Sequence, residues 1–186
     1  MQIELITPFP FESLPRVWRW IERFRGSVAD DFAPKTLSEY VEHMASRWQE
    51  EKTWAIYGDG ELGGLIEFQR FNLWLGTAHV LLKPDFHGKG IAVQACRQAV
   101  GEMFAQGIGK LEFHVLSGNV AIGSLLSNLG AKREGLQEGH TLSGGEPRDV
   151  WVYGLTKKAF EEKHHVVSIQ ANHTDQHEQP AAAADR

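Results

Sequence analysis

The chain has 186 residues, of which 42% are hydrophobic and 23% charged. That composition supports one folded domain and excludes wholesale disorder. With 19 Lys plus Arg against 24 Asp plus Glu the net charge is −5, which argues against a general nucleic-acid binder and suits a cationic partner.

Cys96 is the only cysteine, so neither an intramolecular disulfide nor a CxxC metal site is available. No apolar run approaches the ~20 residues of a membrane span, and the acidic, Trp-bearing N-terminal segment lacks the apolar core of a signal peptide. The expectation is a soluble, cytoplasmic protein that engages neither membrane nor nucleic acid.

Gln2 to Thr7 alternates polar and apolar residues, as a half-buried strand does. A Pro-rich turn leads into Phe11 to Arg25, where Leu14, Val17, Trp18 and Ile21 recur at helical spacing. Thr36 and Glu39 make a capping-box pattern that opens a second helix carrying Tyr40, Val41, Met44 and Trp48. Strands over Thr53 to Tyr57 and Leu62 to Phe71 flank Gly58-Asp59-Gly60, a hairpin signal. A third strand, Thr77 to Leu82, stops at Pro84, and a helix runs from Ile91 to Ala105 with Ala92, Cys96, Ala99 and Met103 along one face. Gly107 and Gly109 end it. Then come a strand over Leu111 to Leu116, a short helix over Asn119 to Leu129 closed by Gly130, and two late strands near Lys132 to His140 and Val150 to Leu155. Helices and hairpins first, β-α-β connections later, predict an α/β mixed sheet covered on both faces.

Composition breaks at His164. Residues 164–186 contain no aromatic side chain and four of the nine histidines, too little apolar surface to offset ordering entropy. The division is therefore a domain over 1–163 and a solvated tail over 164–186, whose His164, His165, His173 and His177 keep no metal-ligand spacing. The tail supplies −2 of the −5, so net charge argues less for a cationic partner than the whole-chain figure does.

The segment Ala78 to Ala92 carries the most chemistry. An apolar strand enters a turn with Gly88 and Gly90 and passes straight into a helix. Glycine lets the backbone approach a ligand, and the first helical amides lack intrahelical acceptors at the positive end of the helix dipole. Together these suit a pyrophosphate, with Lys89 beside it, although a plain tight turn reads the same residues equally well. It is neither a Walker loop, since Lys89 is followed by Gly90, nor a dinucleotide fingerprint, since Gly90 is followed by Ile91-Ala92-Val93.

Leu82-Lys83-Pro84 followed by His87-Gly88-Lys89-Gly90-Ile91-Ala92 resembles the V-x-P and [Q/R]-x-x-G-x-[G/A] signature of the GNAT superfamily of acetyl-CoA-dependent N-acetyltransferases, with His87 departing from Gln or Arg. Asn119 to Ala131, continued by Lys132-Arg133-Glu134-Gly135, resembles the family's second motif, with Ile122 at its Ser position and Ala131 at its Phe position. Arg148 to Leu155 resembles the closing strand of the branch related to ribosomal-protein N-terminal acetyltransferases.

The resemblance implies a GNAT fold of six to seven strands and about four helices, whose central strands splay to admit acetyl-CoA as co-substrate. Backbone groups of Val80, Leu81 and Leu82 would meet the pantetheine. Gly88, Lys89, Gly90, Ile91, Ala92 and Val93 would hold the pyrophosphate, and Asn119 would bond the pantetheine arm or simply cap its helix. Gly123 inside that helix costs about 1 kcal/mol of propensity, which close approach of the cofactor or of a strand would explain.

Acetyl transfer to an amine requires a base, because an alkylammonium with pKa near ~10 is not nucleophilic at neutral pH. In relatives acting on protein N-termini the base stands five residues before the Asn and a Tyr acid seven after it; here those positions are His114 and Leu126. His114 is the candidate base, with Glu67 and His79 as rivals. Leu126 donates no proton, so Ser124, Tyr153 or water would take the acid's place. Glu112 and Asp149 read as structural or surface charges, and Trp54 and Trp74 as core or as walls of an acceptor pocket. The implied function is transfer of acetyl from acetyl-CoA to a primary amine, of a small molecule or a protein N-terminus, by direct attack in a ternary complex. The missing Tyr motivates an alternative, a catalytically weak acyl-CoA-binding module. The resemblance also admits a homodimer through an exposed late strand.

Overall fold

The computed structural model describes residues 2–24, 34–47 and 52–164. Seven strands form one sheet: β1 (Ile3–Ile6), β2 (Lys52–Gly58), β3 (Glu61–Arg70), β4 (Leu75–Leu82), β5 (Lys110–Leu116), β6 (Lys132–Ser143) and β7 (Glu146–Thr156). Their order across the sheet is β1-β2-β3-β4-β5-β7-β6. Every neighbouring pair is antiparallel except β4 and β5. The helices are α1 (Leu14–Phe24), α2 (Leu37–Arg47), α3 (Ile91–Ala105), α4 (Val120–Leu129) and α5 over 157–164.

The helices divide between the two faces. Val17, Trp18, Tyr40 and Met44 of α1 and α2 pack on Ala55, Leu62 and Leu65. On the other face, α3, α4 and Phe160 of α5 bury a larger core with Trp54, Ile66, Phe68, Phe113, Tyr153 and Leu155. Side chains alternate along a strand. Glu67 and His79 therefore look toward the α1–α2 layer, as do Glu112 and His114, while their neighbours Ile66, Phe68, Phe113 and Val115 join the α3–α4 core.

Most local expectations hold. The capping box is present, with Glu39 N–H donating to Thr36 Oγ1 at 3.2 Å. Glu39 Oε2 reaches back to Lys35 N–H, one residue earlier than the simplest form of the motif. The β2–β3 hairpin turns through Asp59 and Gly60, both at positive φ (49° and 81°), the pair that a two-residue loop matched to strand twist demands.

Three boundaries differ from the sequence reading. The first helix is preceded by a 3-10 turn over Phe11–Ser13, and β4 begins at Leu75 rather than Thr77. The last two strands run on to Ser143 and from Glu146, joined by Gly144 and Gly145 at φ 64° and 79°. Most of β6 is solvent-exposed. With neither face buried along most of its length there is no apolar alternation to read, so the sequence reading stopped both strands short of the turn. Trp48 and His165, His173 and His177 lie outside the described residues. His164 is the last described residue of α5, its ring edge-on to Phe160 with centroids 4.5 Å apart. Burial and the charges of Arg97 and Lys163 hold its pKa below the usual imidazole value.

Candidate active site

β4 and β5 pair at only two positions, Leu75 with Lys110 and Gly76 with Leu111, and then diverge. Each strand keeps its other edge fully laddered. β4 pairs with β3 from Gly64↔Leu82 to Arg70↔Gly76, and β5 pairs with β7 from Lys110↔Thr156 to Leu116↔Val150. The divergence leaves backbone groups of Thr77–Leu82 and Glu112–Leu116 facing each other across a gap, with no strand between to satisfy them. Val80, Leu81 and Leu82 lie on this open edge.

At the wide end of the gap stands the glycine loop. Phe86, 5% exposed, anchors it: its ring occupies the space above Gly63, where a Cβ would sit 2.0 Å from a ring carbon. Lys83 Nζ lies 4.7 Å from that ring's centroid and is ion-paired to Glu61. His87 Nε2 hydrogen-bonds the Leu82 carbonyl at 3.1 Å, tying the loop to the end of β4. Beyond this anchor the chain passes through Gly88 (φ 71°) and Gly90 (φ 73°), both left-handed, and a Cβ at either would meet nothing within 4 Å.

Gly90 is the N-cap of α3, and no side chain caps that helix or places a carboxylate in its first turn. The leading amides of α3, at Ile91, Ala92 and Val93, thus face open space at the positive end of the helix dipole, a fit for the pyrophosphate of a coenzyme. α4 is the opposite case. Asn119 Oδ1 accepts the Ile122 N–H at 3.2 Å and caps it, the second of the two roles the sequence allowed.

The candidate catalytic residues separate into two groups. On the α1–α2 face His114 Nε2 hydrogen-bonds Glu112 Oε1 at 3.0 Å, and the His140 ring stands 5.8 Å from the His114 ring. Across the gap on that same face, Glu67 and His79 are ladder partners on β3 and β4. Burial of Tyr40, with a smaller contribution from the charge of Glu67, pushes its hydroxyl well above the ordinary phenol pKa, and that hydroxyl has no hydrogen-bond partner among the described residues.

Tyr153 lies elsewhere. It belongs to the α3–α4 core at 3% exposure, on β7, and β5 separates it from the gap. Its hydroxyl accepts from Arg133 Nε at 2.9 Å. The same hydroxyl explains Gly123, because a Cβ there would stand 2.9 Å from it; of the two partners that could demand a glycine, it is the strand that makes the close approach. Ser124 is exposed on α4, and Leu126 is buried in the core, so neither Tyr153 nor Ser124 is brought together with His114.

The tryptophans also part company. Trp54 is core, with Nε1 donating to Glu102 Oε2 at 3.0 Å, whereas Trp74 is 65% exposed and lies against Gly109. Sequence reasoning took Glu112 for a structural charge and left His140 unremarked. The i, i+2 spacing of Glu112 and His114 on a strand was the available signal for the first; the irregularity between Gln137 and Thr141 that contains the second had none.

The family described as acetyltransferase (GNAT) domain matches residues 5–132. The chain belongs to the GNAT acetyltransferase family. Solved structures of similar fold include a spermidine N-acetyltransferase from Vibrio cholerae in complex with CoA and spermine, at 17% identity and TM-score 0.76, covering 86% of this chain and 98% of that one. Another is a ribosomal-protein-alanine N-acetyltransferase from Brucella melitensis, at 14% identity and TM-score 0.71, covering 84% and 99%. No curated protein matches the sequence at a significant level. This GNAT chain is therefore an acetyltransferase with acetyl-CoA as co-substrate, and its mixed seven-stranded sheet is the family's fold. Among the described residues no helix is long and apolar enough to cross a membrane.

Proposed function

We propose that this enzyme acetylates a primary amine carried by a small cationic molecule, by direct attack of the amine on acetyl-CoA in a ternary complex. The observation that carries the reading is the Glu112–His114 pair at the open edge of β5, 3.0 Å apart on the face away from α3 and α4. Acetyl-CoA supplies the activated acyl group. The chain's own residues would hold it along Val80–Leu82, at Gly88–Val93 and at Asn119.

His114 is the proposed base. Glu112 fixes the ring through Nε2, and Nδ1 has no protein partner among the described residues, so a neutral imidazole can take the ammonium proton there. Glu67 and Glu112 lie on one face on either side of the splay, a placement that suits an acceptor with a second positive charge, such as a polyamine. The spermidine N-acetyltransferase among the similar structures points the same way. No side chain is assigned as acid: Leu126 replaces the family Tyr, and a thiol with pKa near ~8.5 leaves without strong assistance. The domain over 1–163 carries this chemistry, and the segment beyond it is proposed as an appended tail.

Thiol release from acetyl-CoA is the test, read with spermidine, an aminoglycoside and Ala- or Ser-initiated peptides as acceptors. The proposal expects turnover to be fastest with the polyamine. Preference for the peptides would reassign the acceptor, and no turnover with any amine would overturn the activity.

A further inference from the structure

A groove of about 440 Å³ runs along α4 on the side that faces β7 and β6. It is lined by Arg133, Lys163, Ser124, Ser127, Asn128 and Trp151, among others, and no carboxylate lines it. In a chain of net charge −5 this is a local reversal of sign. Several other lysines show the usual outcome: Lys52 pairs with Glu102, Lys83 with Glu61, Lys110 with Glu134, Lys157 with Glu161 and Lys158 with Glu162. Arg133 and Lys163 have no such partner among the described residues.

Arg133 is also held in place. Its guanidinium lies over the Trp151 ring, 4.5 Å from the centroid, and its Nε donates to Tyr153 Oη at 2.9 Å. Stacking fixes the plane and the Nε bond fixes the rotation within it. The Nη1–Nη2 edge keeps its donors for an acceptor outside the protein's own side chains, and its fork geometry matches two oxygens of one anion. Lys163 Nζ, 3.3 Å from the Ser127 carbonyl oxygen, closes the far end of the groove with a second positive charge.

We propose that this groove is a second ligand site, separate from the β4–β5 gap, that binds a compact oxyanion: a phosphate or carboxylate group gripped by Arg133 and flanked by Lys163. Its polar lining lies on the β7 and β6 side of α4, and it meets the acetyl-CoA cleft at the C-terminal end of β5 (Val115, Leu116) and at Asn119, which border both.

Calorimetric titration of the full chain saturated with CoA tests the site, with inorganic phosphate, phenyl phosphate and benzoate as probes. The expected result is one-to-one saturable binding that weakens about tenfold or more in Arg133→Gln. Arg133→Lys is expected to remain weak, because a point charge does not reproduce the fork. Lys163→Gln, at the end of a surface helix and remote from the Trp151 stack, is expected to weaken binding several-fold without a change in melting temperature, and guards against misfolding of the Arg133 variants. Tighter binding of phenyl phosphate than benzoate assigns the site to phosphate monoesters, and the reverse assigns it to carboxylates. Absence of saturable binding to the CoA-saturated chain, or equal affinity in wild type, Arg133→Gln and Lys163→Gln, each overturns the proposal.

Discussion

The two edges of β5, an interior strand, are bonded very differently. Toward β7 the strand is paired along its whole length, from Lys110↔Thr156 to Leu116↔Val150. Toward β4 it is paired at two positions and then left open. One strand thus has a side saturated by protein and a side whose backbone donors and acceptors must find partners elsewhere. A closed edge gives stability. An open edge beside an uncapped helix N-terminus gives a binding cleft whose specificity lies in main-chain geometry rather than in side chains.

Gly90→Glu breaks the open side most severely. It places a carboxylate at the start of α3 and an L side chain at φ 73°, and acetyl-CoA affinity is expected to fall by more than about 100-fold by calorimetry. His114→Ala is next. Loss of a general base is expected to lower kcat by about 10²–10⁴, more at pH 7 than at pH 9, where the free-amine fraction rises without help; an unchanged pH–rate profile would demote His114 to a structural role. Glu112→Gln removes the carboxylate that orients the ring, and its expected loss in kcat is smaller, on the order of tenfold to hundredfold.

The closed edges respond in stability rather than activity. A Cβ at Gly64 would stand 2.4 Å from the Leu81 carbonyl and 2.5 Å from Leu82 Cδ2, so Gly64→Ala is expected to cost about 1–3 kcal/mol in chemical denaturation. Gly123→Ala is the mildest. The substitution gains about 1 kcal/mol of helix propensity but crowds the Tyr153 hydroxyl. It is therefore expected to be more favourable in a Tyr153→Phe background, and a double-mutant cycle with no coupling would remove that contact as the reason for the glycine.

Much of the open edge was legible because its signals are local. A strand, Pro84, two glycines and a helix stand within fifteen residues of each other, and Gly88 and Gly90 adopt the positive φ that such a turn asks for. Gly63 was silent in the sequence, since its role is to make room for Phe86 from the turn that follows β4, more than twenty residues away in the chain. The Glu112–His114 pair was half legible: His114 stood at the family's base position, whereas its carboxylate partner required the strand to be extended and both side chains to share a face. Tyr153 shows the opposite failure. Offered with Ser124 and water as a stand-in for the missing acid, it shares a face with Phe113 and serves Arg133 instead.

Composition and charge set the class of molecule: an acidic chain whose single cysteine leaves no intramolecular disulfide. The sequence alone determined the order of elements, the glycine loop and the family, because each depends on residues close together in the chain and on torsional preferences that act locally. Only the tertiary structure decided which face each chemical group occupies, where β4 leaves β5, and that positive charge gathers along α4 at Arg133 and Lys163. Those features depend on register and on long-range packing, and side-chain periodicity in a single strand carries no information about the strand that will lie beside it.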